Sequence, residues 1–194
     1  MFRTPRKSIR LQPSDYCGTT TSFITVCCQD RVPIFRDPSR AGITVVSLGL
    51  TAESLSFLVH AYCIMPDHAH FLIEGTSVDC NVMTLVARWK QQTAYLLRGE
   101  LPKGIWQRRF YDHMLRHDED VHAVAWYIWM NPVRRGLVAA PQQYPFSGSF
   151  TVDWPIGNPP VKTWIPPWKA RTECASDGEK RTDLNAPDGA PGMR

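Results

Sequence analysis

The sequence predicts an α+β fold in which antiparallel strands combine with α-helices, and two patterns carry this prediction. First, residues 55–65 and 68–74 are apolar, β-branched runs separated by a Pro-Asp dipeptide. Two strands joined so tightly form an antiparallel hairpin. Second, residues 81–98 carry apolar side chains at helical spacing, and residues 117–132 begin with acidic side chains and end at Pro132. Both segments are therefore predicted to be helices.

The other segments give weaker signals. Residues 22–28, SFITVCC, predict a first strand because they are apolar and β-branched. Residues 39–56 give conflicting signals, since several apolar positions suit a helix whereas Gly42, Gly49 and the run ITVV argue against one. Residues 101–116 form a basic, aromatic connection that can hold a short strand.

Composition divides the chain after residue 152. The hydrophobic content of 43% and seven tryptophans fit one domain with a core, which we place at residues 1–152. Residues 153–194 are rich in Pro, Gly, Asp and Lys and predict a disordered tail. No run of about 18 apolar residues marks a membrane span, and the basic N-terminus lacks the apolar core of a secretory signal. Six cysteines without a CxxC pair suit a cytoplasmic protein without disulfides.

Charge is concentrated in one part of the sequence. The net charge is +4, and residues 151–194 contribute six basic and six acidic side chains, so the excess belongs to residues 1–150. Nine basic residues lie between Arg88 and Arg135. Such a cluster suits a polyanion such as nucleic acid, and the alternative is a solvated basic face.

Two histidines interrupt the second strand of the predicted hairpin. His68 and His70 are two residues apart, so they point to the same face, about 7 Å apart at Cα. Ala69, Phe71 and Ile73 point into the opposite, apolar layer. Two imidazoles so placed can converge on one cation, and the alternative is a pair of surface or hydrogen-bonded histidines.

A tyrosine and an asparagine share a face of the last predicted helix. Tyr127 and Asn131 are four residues apart, and Asn131 stands at the helix end, where its amide oxygen can serve as a ligand. A phenol with a pKa of about 10 is mostly protonated at neutral pH. Tyr127 becomes a nucleophile only beside a proton acceptor or an electrophile polarised by a metal. The alternative is an aromatic that packs beside Trp126 and Trp129.

Four motifs, in this order, resemble those of the REP-associated tyrosine transposases: MPDHAHFLIEG, GIWQRRFYDHMLRHDED, YIWMNPVRRGLV and YPFS. These proteins are relatives of the single-strand insertion-sequence transposases, with an HUH motif and one catalytic tyrosine. The resemblance runs from about residue 22 to 149. The family's WQ..F..H element matches Trp106, Gln107, Phe110 and His113. VSLGL, residues 46–50, is atypical of the helix expected there, and FSGS stands where the family tends to have WSS.

The resemblance implies a ferredoxin-like α/β sandwich with the HUH strand central in an antiparallel sheet and helices on one face. It implies that His68, His70 and Asn131 hold Mg²⁺ or Mn²⁺. It further implies that Tyr127 attacks the scissile phosphate of single-stranded DNA and forms a covalent 5′-phosphotyrosine. The protein would then be a transposase that cleaves and rejoins DNA hairpins, as a monomer or a homodimer.

Single-stranded or hairpin DNA is the partner that this function requires. Candidates for holding it are seven side chains in or near the basic cluster: Lys90, Trp106, Arg108, Arg109, His113, Arg134 and Arg135. Aromatic rings between arginines can stack on unpaired bases. Core packing suits Trp106 equally well, and His113 can lie behind the metal ligands instead of on DNA.

Two other functions stay open on the sequence alone. One is a domesticated protein that binds hairpins with little or no cleavage. The other is an HxH metal hydrolase, which would need further ligands such as Asp67 or Glu74. Among the six tyrosines, Tyr111 is the rival nucleophile because it lies beside Arg108 and Arg109.

Overall fold

The computed structural model describes residues 16–99, 104–152 and 159–167. The chain divides into two compact units, Met1–Thr163 and Trp164–Arg194, and all elements described below lie in the first. Only residues 159–167 of the predicted tail are described, so its disorder stays a prediction. None of the helices in the described ranges has the length and apolarity needed to cross a bilayer.

Five antiparallel strands form one sheet, and the strand with both histidines is its middle strand. The strands are β1 (Thr21–Cys27), β2 (Phe57–Met65), β3 (His68–Gly75), β4 (Tyr111–Met114) and β5 (Ser147–Gly148). Their order is β4-β1-β3-β2-β5, and all four pairings are antiparallel. The predicted hairpin of β2 and β3, the α+β class and the central position of β3 are confirmed.

Four α-helices lie within the described ranges: α1 (Pro38–Ser54), α2 (Val82–Leu96), α3 (Val121–Trp129) and α4 (Asn131–Arg134). Helix α1 joins β1 to β2, and α2 joins β3 to β4. Together with the order β4-β1-β3-β2, these crossovers give the split β-α-β arrangement of ferredoxin-like folds. The fold implied by the resemblance is therefore present, with the short β5 added at one edge.

The two faces of the sheet have different coverings, because successive side chains of a strand alternate between them. On one face Phe71 packs against Trp89 of α2, with ring centroids 4.7 Å apart, inside the main hydrophobic core. His70 points to the other face, as does Phe23, whose ring lies 6.1 Å from that of Tyr127 in α3. The expectation of helices on one face holds for α1 and α2, whereas α3 covers the face that carries the histidines.

Helix α1 resolves the conflicting signals of residues 39–56. Asp37 caps its first turn by accepting a hydrogen bond from the Ser39 amide at 2.8 Å, and Pro38 suits the first helical position. Gly49 lies against the ring of Phe150, which a Cβ atom would approach to 3.3 Å. Gly49, one of the two glycines that argued against a helix, is therefore explained by its close packing against Phe150.

Gly75 ends β3 at a point where a side chain has no room. An added Cβ atom would overlap the carbonyl oxygen of Gly18 and lie 2.7 Å from Cβ of Cys80. We expect Gly75→Ala to lower the free energy of unfolding by about 1–3 kcal/mol, since the backbone on both sides must move. Urea denaturation followed by circular dichroism measures this.

The matched control is Gly42→Ala in α1, where a Cβ atom would have no neighbour within 4 Å. Alanine is the better helix former, so this variant should be more stable by about 0.5–1 kcal/mol. Equal effects of the two substitutions would contradict the packing described at Gly75.

Candidate functional site

The two histidines of β3 meet through their Nε2 atoms. His68 and His70 are 5% and 6% exposed, and their Nε2 atoms lie 3.0 Å apart. An octahedral ion with bonds of about 2.1 Å holds adjacent ligands about 3.0 Å apart. The spacing of the two nitrogens therefore fits neighbouring positions on one small cation.

The other ring nitrogens are held from behind, which fixes both imidazoles. Nδ1 of His68 lies 2.6 Å from the Asp67 carboxylate, and Nδ1 of His70 lies 2.8 Å from the Thr25 hydroxyl. Thr25 faces His70 because the two residues are partners in the β1–β3 ladder. Metal-binding histidines typically have such partners on the nitrogen that does not bind the metal.

Both histidines are neutral at neutral pH. Burial lowers the pKa of His68, although the hydrogen bond to Asp67 and its charge oppose this effect. Burial lowers the pKa of His70 well below its ordinary value, and the neighbouring His68 and the positive charge of Arg134 lower it further. Neutral imidazole is the form that binds a metal ion.

Arg31 supports the same assembly from a strained turn. Its guanidinium lies 3.3 Å from the carboxylate of Asp67, and Asp30 and Arg31 both adopt left-handed backbone angles, with φ of 52° and 56°. Burial alone would raise the pKa of Asp67, but the bonds and charges of His68 and Arg31 lower it overall. Asp67 is thus ionised and accepts the hydrogen bond from His68.

Asn131 is oriented by a break between α3 and α4. Pro132 has no N–H to offer the carbonyl of Ile128. The side-chain amide of Asn131 donates to this carbonyl at 2.9 Å and to that of Tyr127 at 3.1 Å. Both N–H groups are thereby used, and the amide oxygen is left available as a ligand.

Tyr127 and His70 pack on the same ring. The Phe23 ring is fully buried and lies 5.6 Å from His70 and 6.1 Å from Tyr127. The Arg134 guanidinium stacks 4.1 Å from the centre of the Tyr127 ring and donates to the Tyr127 carbonyl at 2.7 Å. Burial raises the pKa of Tyr127, and the Arg134 charge partly offsets this.

The rival tyrosine lies close to the same place. Tyr111 of β4 pairs with Thr25 of β1, and its ring lies 6.4 Å from Phe23. The two tyrosines therefore approach Phe23 from different elements, one from an edge strand and one from α3. The Tyr127 ring has the Arg134 guanidinium stacked on it, and a second pair of this kind joins Arg98 to Tyr95 at the end of α2.

One of the three metal ligands suggested by the sequence, Asn131, is neither an acidic residue nor a histidine or cysteine. No cluster of three His, Cys, Asp or Glu side chains able to hold a metal occurs in the part of the chain that the structure describes. A third protein ligand would have to be of another type, and the available oxygen of Asn131 is suitable. Asp67 and Glu74 are engaged with His68 and His60, at 2.6 Å in each case.

The seven candidate DNA contacts occupy different environments. Four arginines are exposed to solvent: Arg108, Arg109, Arg134 and Arg135. Lys90 is half-buried and donates to the carbonyls of Gln107 and Arg108 at 2.6 and 3.1 Å, so it holds the connection before β4. His113 contacts both carboxylate oxygens of Glu119, at 2.9 and 2.7 Å, and so links β4 to the start of α3.

The structure corrects the assignment of Trp106 as a DNA contact. It is 9% exposed, its ring lies 4.7 Å from Trp89, and its indole N–H donates to Thr93 at 2.7 Å. A ring buried in this way is not available to stack on a base. Of the two roles that the sequence left open, the structure favours core packing.

Sequence patterns did not identify Thr25, Phe23 and Arg31 as parts of the site. Thr25 and Phe23 become neighbours of His70 only through the register of β1 and β3, which no local pattern reveals. Arg31 reaches Asp67 across 36 residues. The one local signal was Asp67 itself, which directly precedes His68.

The chain is similar to several known proteins. A sequence model of the family described as Transposase IS200 like matches residues 20–131. A Haemophilus influenzae protein provisionally named a REP-associated tyrosine transposase is 34% identical over 131 residues, which cover 58% of this chain and 74% of that protein. The REP-associated tyrosine transposase of Escherichia coli is 28% identical over 106 residues, covering 50% and 62%.

One solved structure extends the likeness to three dimensions. It shows a REP-associated tyrosine transposase bound to a REP hairpin, and it superposes with a TM-score of 0.63 at 25% identity. The superposition covers 73% of this chain and 81% of that chain.

The burial of Trp106 leads to a prediction. Trp106→Phe should lower the free energy of unfolding by about 1–2 kcal/mol, because the Thr93 hydroxyl loses its indole partner in a buried site, and it should leave DNA binding unchanged. Trp126→Phe, at a half-buried position of α3, is the control and should cost less stability. A large loss of DNA affinity in a stably folded Trp106→Phe protein would contradict the core assignment.

Proposed function

Since this chain belongs to the family of IS200-like transposases, we propose that it is a metal-dependent endonuclease and strand transferase that acts on hairpins of single-stranded DNA. The observation that carries this proposal is the meeting of two neutral imidazole nitrogens at 3.0 Å, beside a tyrosine packed on the same phenylalanine. Hairpin DNA is bound by a protein of similar fold, and the basic cluster of this chain offers exposed arginines for such a ligand.

His68, His70 and Asn131 are the proposed ligands of Mg²⁺ or Mn²⁺. When bound, such an ion would draw negative charge from the oxygens of the scissile phosphate and so favour attack by an anionic or electron-rich nucleophile. Asp67 and Thr25 hold the two imidazoles in place behind it, and Asn131 is held by the last carbonyls of α3. Imidazole ligands admit Mn²⁺ readily.

Tyr127 is the proposed nucleophile. Its oxygen forms a bond to phosphorus while the bond to the 3′ oxygen breaks, and the phenolic proton leaves to an acceptor as the 3′ oxygen takes up a proton. The DNA stays joined to Tyr127 through its 5′ phosphate. This ester conserves the energy of the broken bond, so a 3′-hydroxyl can reverse the step without ATP.

Arg134 keeps the phenol in position. It stacks on the ring and donates to the carbonyl of the same residue, so the side chain and the backbone of Tyr127 are held by one group. Burial raises the Tyr127 pKa, and the phenol is therefore protonated until the reaction removes its proton. A rigid nucleophile with a fixed line of attack lowers the entropic part of the barrier.

We infer that one chain supplies both the histidine pair and the nucleophile. The rings of His70, Phe23 and Tyr127 follow one another at 5.6 and 6.1 Å within a single protomer, so a monomer can carry out the chemistry. The proposed chemical domain is residues 1–152, and the tail beyond it supplies none of the groups named here.

The nucleophile can be identified by a covalent adduct. Tyr127→Phe removes only the hydroxyl, so it should bind hairpin DNA and Mn²⁺ as before and form no adduct with DNA from around its own gene. Tyr111→Phe is the matched control because its ring lies on the same phenylalanine, and it should retain adduct formation. Mass spectrometry of the trapped adduct should locate the nucleotide on Tyr127.

The opposite result has a clear meaning. An adduct on Tyr111, with full activity of Tyr127→Phe, would transfer the nucleophile from α3 to β4. Hairpin binding by the wild-type protein without any adduct would instead favour a binding protein that does not cleave.

The metal ligands can be tested without measuring cleavage. His68→Ala or His70→Ala should abolish Mn²⁺ binding measured by titration calorimetry or electron paramagnetic resonance. Asp67→Asn should weaken Mn²⁺ binding by about 10- to 100-fold, because His68 loses its anionic hydrogen-bond partner.

Glu74→Gln is the matched control for Asp67→Asn. Glu74 also contacts a histidine at 2.6 Å, but that histidine, His60, is not part of the pair. The Mn²⁺ affinity of the Glu74→Gln variant should equal that of the wild type. An equal loss of affinity in both variants would show a general effect of the removed charge and not a specific role of Asp67 in supporting His68.

A further inference from the structure

Arg31 lies in an unusual turn between β1 and α1. Asp30 and Arg31 both adopt left-handed backbone angles, with φ of 52° and 56°. Aspartate visits this region locally, but a long side chain such as arginine rarely does, and the conformation costs free energy. The fold therefore holds Arg31 in this place against its local preference.

Backbone hydrogen bonds fix the segment that carries this turn. Before the turn, the N–H of Cys28 donates to the carbonyl of Asp67 at 2.9 Å. After it, the N–H of Phe35 donates to the carbonyl of Pro66 at 3.0 Å. The segment thus wraps around the turn of the β2–β3 hairpin, and the position of Arg31 is set before any ligand binds.

The ion pair with Asp67 does not by itself explain why Arg31 is held there. The contact joins Nη1 of Arg31 to Oδ2 of Asp67 at 3.3 Å, and the Arg31 side chain is 51% exposed. Exposed pairs with a single contact contribute little to stability. Because a guanidinium has five N–H donors, this contact leaves donors of Arg31 for a ligand.

The charge of Arg31 reaches the histidine pair. Burial is the main cause of the lowered pKa of His68 and of His70, and the positive charge of Arg31 adds to the effect at both. An anionic group held at the pair would be attracted by the same charge.

Arg31 and Tyr127 approach the pair from opposite ends. Arg31 contacts Asp67, which directly precedes the first histidine of β3. Tyr127 packs on Phe23, which is paired with Leu72 beyond the second histidine. In a displacement at phosphorus the attacking and leaving oxygens lie roughly in line, on opposite sides. A phosphate that is attacked from the Tyr127 end therefore releases its 3′ oxygen toward the end where Arg31 lies.

We propose that the Arg31 guanidinium binds the leaving 3′ oxygen of the scissile linkage. As the bond between phosphorus and this oxygen breaks, the electron pair passes to the oxygen, and the guanidinium offsets its negative charge. Water supplies the proton that the 3′ oxygen takes up, because arginine keeps its own. In the reverse step the same contact positions the 3′-hydroxyl that attacks the phosphotyrosine. The inference rests on the proposed function and adds a catalytic residue to it.

A sulfur atom at the leaving position tests this role. The linkage that the wild type cleaves is first mapped in hairpin DNA from around the gene, and a second DNA is made with its 3′ bridging oxygen replaced by sulfur. A thiolate is a weaker base than an alkoxide, so it leaves with less stabilisation. With the same metal ion throughout, Arg31→Gln should slow single-turnover adduct formation about 10²- to 10³-fold on the oxygen linkage and less than about tenfold on the sulfur linkage. Equal slowing on both linkages would overturn the proposal.

Asp67→Asn is the matched control, because Asp67 acts on the chemistry only through His68. It should slow adduct formation equally on the two linkages. Arg31→Gln should keep its Mn²⁺ affinity within about fivefold of the wild type, the upper end for loss of an exposed ion pair, since Asp67 stays bonded to His68. A loss of Mn²⁺ affinity as large as that of Asp67→Asn would mean that Arg31 acts by holding Asp67, which overturns the proposal.

Arg31→Gly separates the guanidinium from the shape of the turn. Glycine adopts the left-handed angle without strain, so this variant should unfold at a urea concentration no lower than the wild type does and still depend on the leaving atom as Arg31→Gln does. If the wild type forms no adduct with a hairpin that it binds, the proposed function fails and this inference with it. If the wild type forms the adduct and Arg31→Gln is equally fast on the oxygen linkage, only this inference fails.

Discussion

The approach of two imidazole nitrogens to 3.0 Å is the constraint on which the rest of the site depends. Without a cation, one nitrogen must carry a proton that the other accepts. Asp67 accepts from His68 on the far side, so His68 offers a lone pair and His70 must donate. The Thr25 hydroxyl can then donate to His70, and it can accept instead when His70 turns its lone pair toward a metal ion. A threonine beside one histidine and a carboxylate beside the other therefore suit both states of the pair.

The positions of the Asn131 and Arg134 side chains depend on the N–H group that Pro132 lacks. Pro132 cannot supply the N–H that a continuous helix would offer to Ile128, so α3 ends and its last carbonyls need other partners. Asn131 and Arg134 supply them through side chains. Around this interruption both N–H groups of the Asn131 amide are used, and an arginine is tied to the backbone of Tyr127 with its guanidinium on the phenol ring. Burial of α3 on the histidine face then brings the Tyr127 ring to Phe23, without any sequence motif that spans both elements.

Local patterns predicted the elements whose buried and exposed faces differ clearly. The β2–β3 hairpin, α2 and the histidine pair belong to this class, because period and turn chemistry act within a few residues. Helix α1 was ambiguous for a physical reason: its buried face carries Thr44, Ser47 and Thr51, whereas Val46 and Leu50 are exposed. The buried threonine hydroxyls are satisfied within the helix, as at Thr51, which donates to the Ser47 carbonyl at 2.7 Å, and this inverts the usual pattern. The neighbours of His70 could not be predicted locally, since strand register sets them.

The two faces of the sheet have different roles, one in stability and the other in the proposed chemistry. One face carries the packed core with Phe71, Trp89 and Trp106, and the other carries the histidines under α3, so substitutions on the first face affect mainly the free energy of unfolding. The connection before β4 is the exception, because it belongs to both. Trp106 is anchored in the core, Gln107 is bonded to the strand beside His68, and Arg108 is exposed within two residues of that anchor. Core packing on one side of the sheet thus fixes the backbone from which the exposed side chains of Arg108 and Arg109 extend, so this part of the connection does not need to be ordered when a ligand binds.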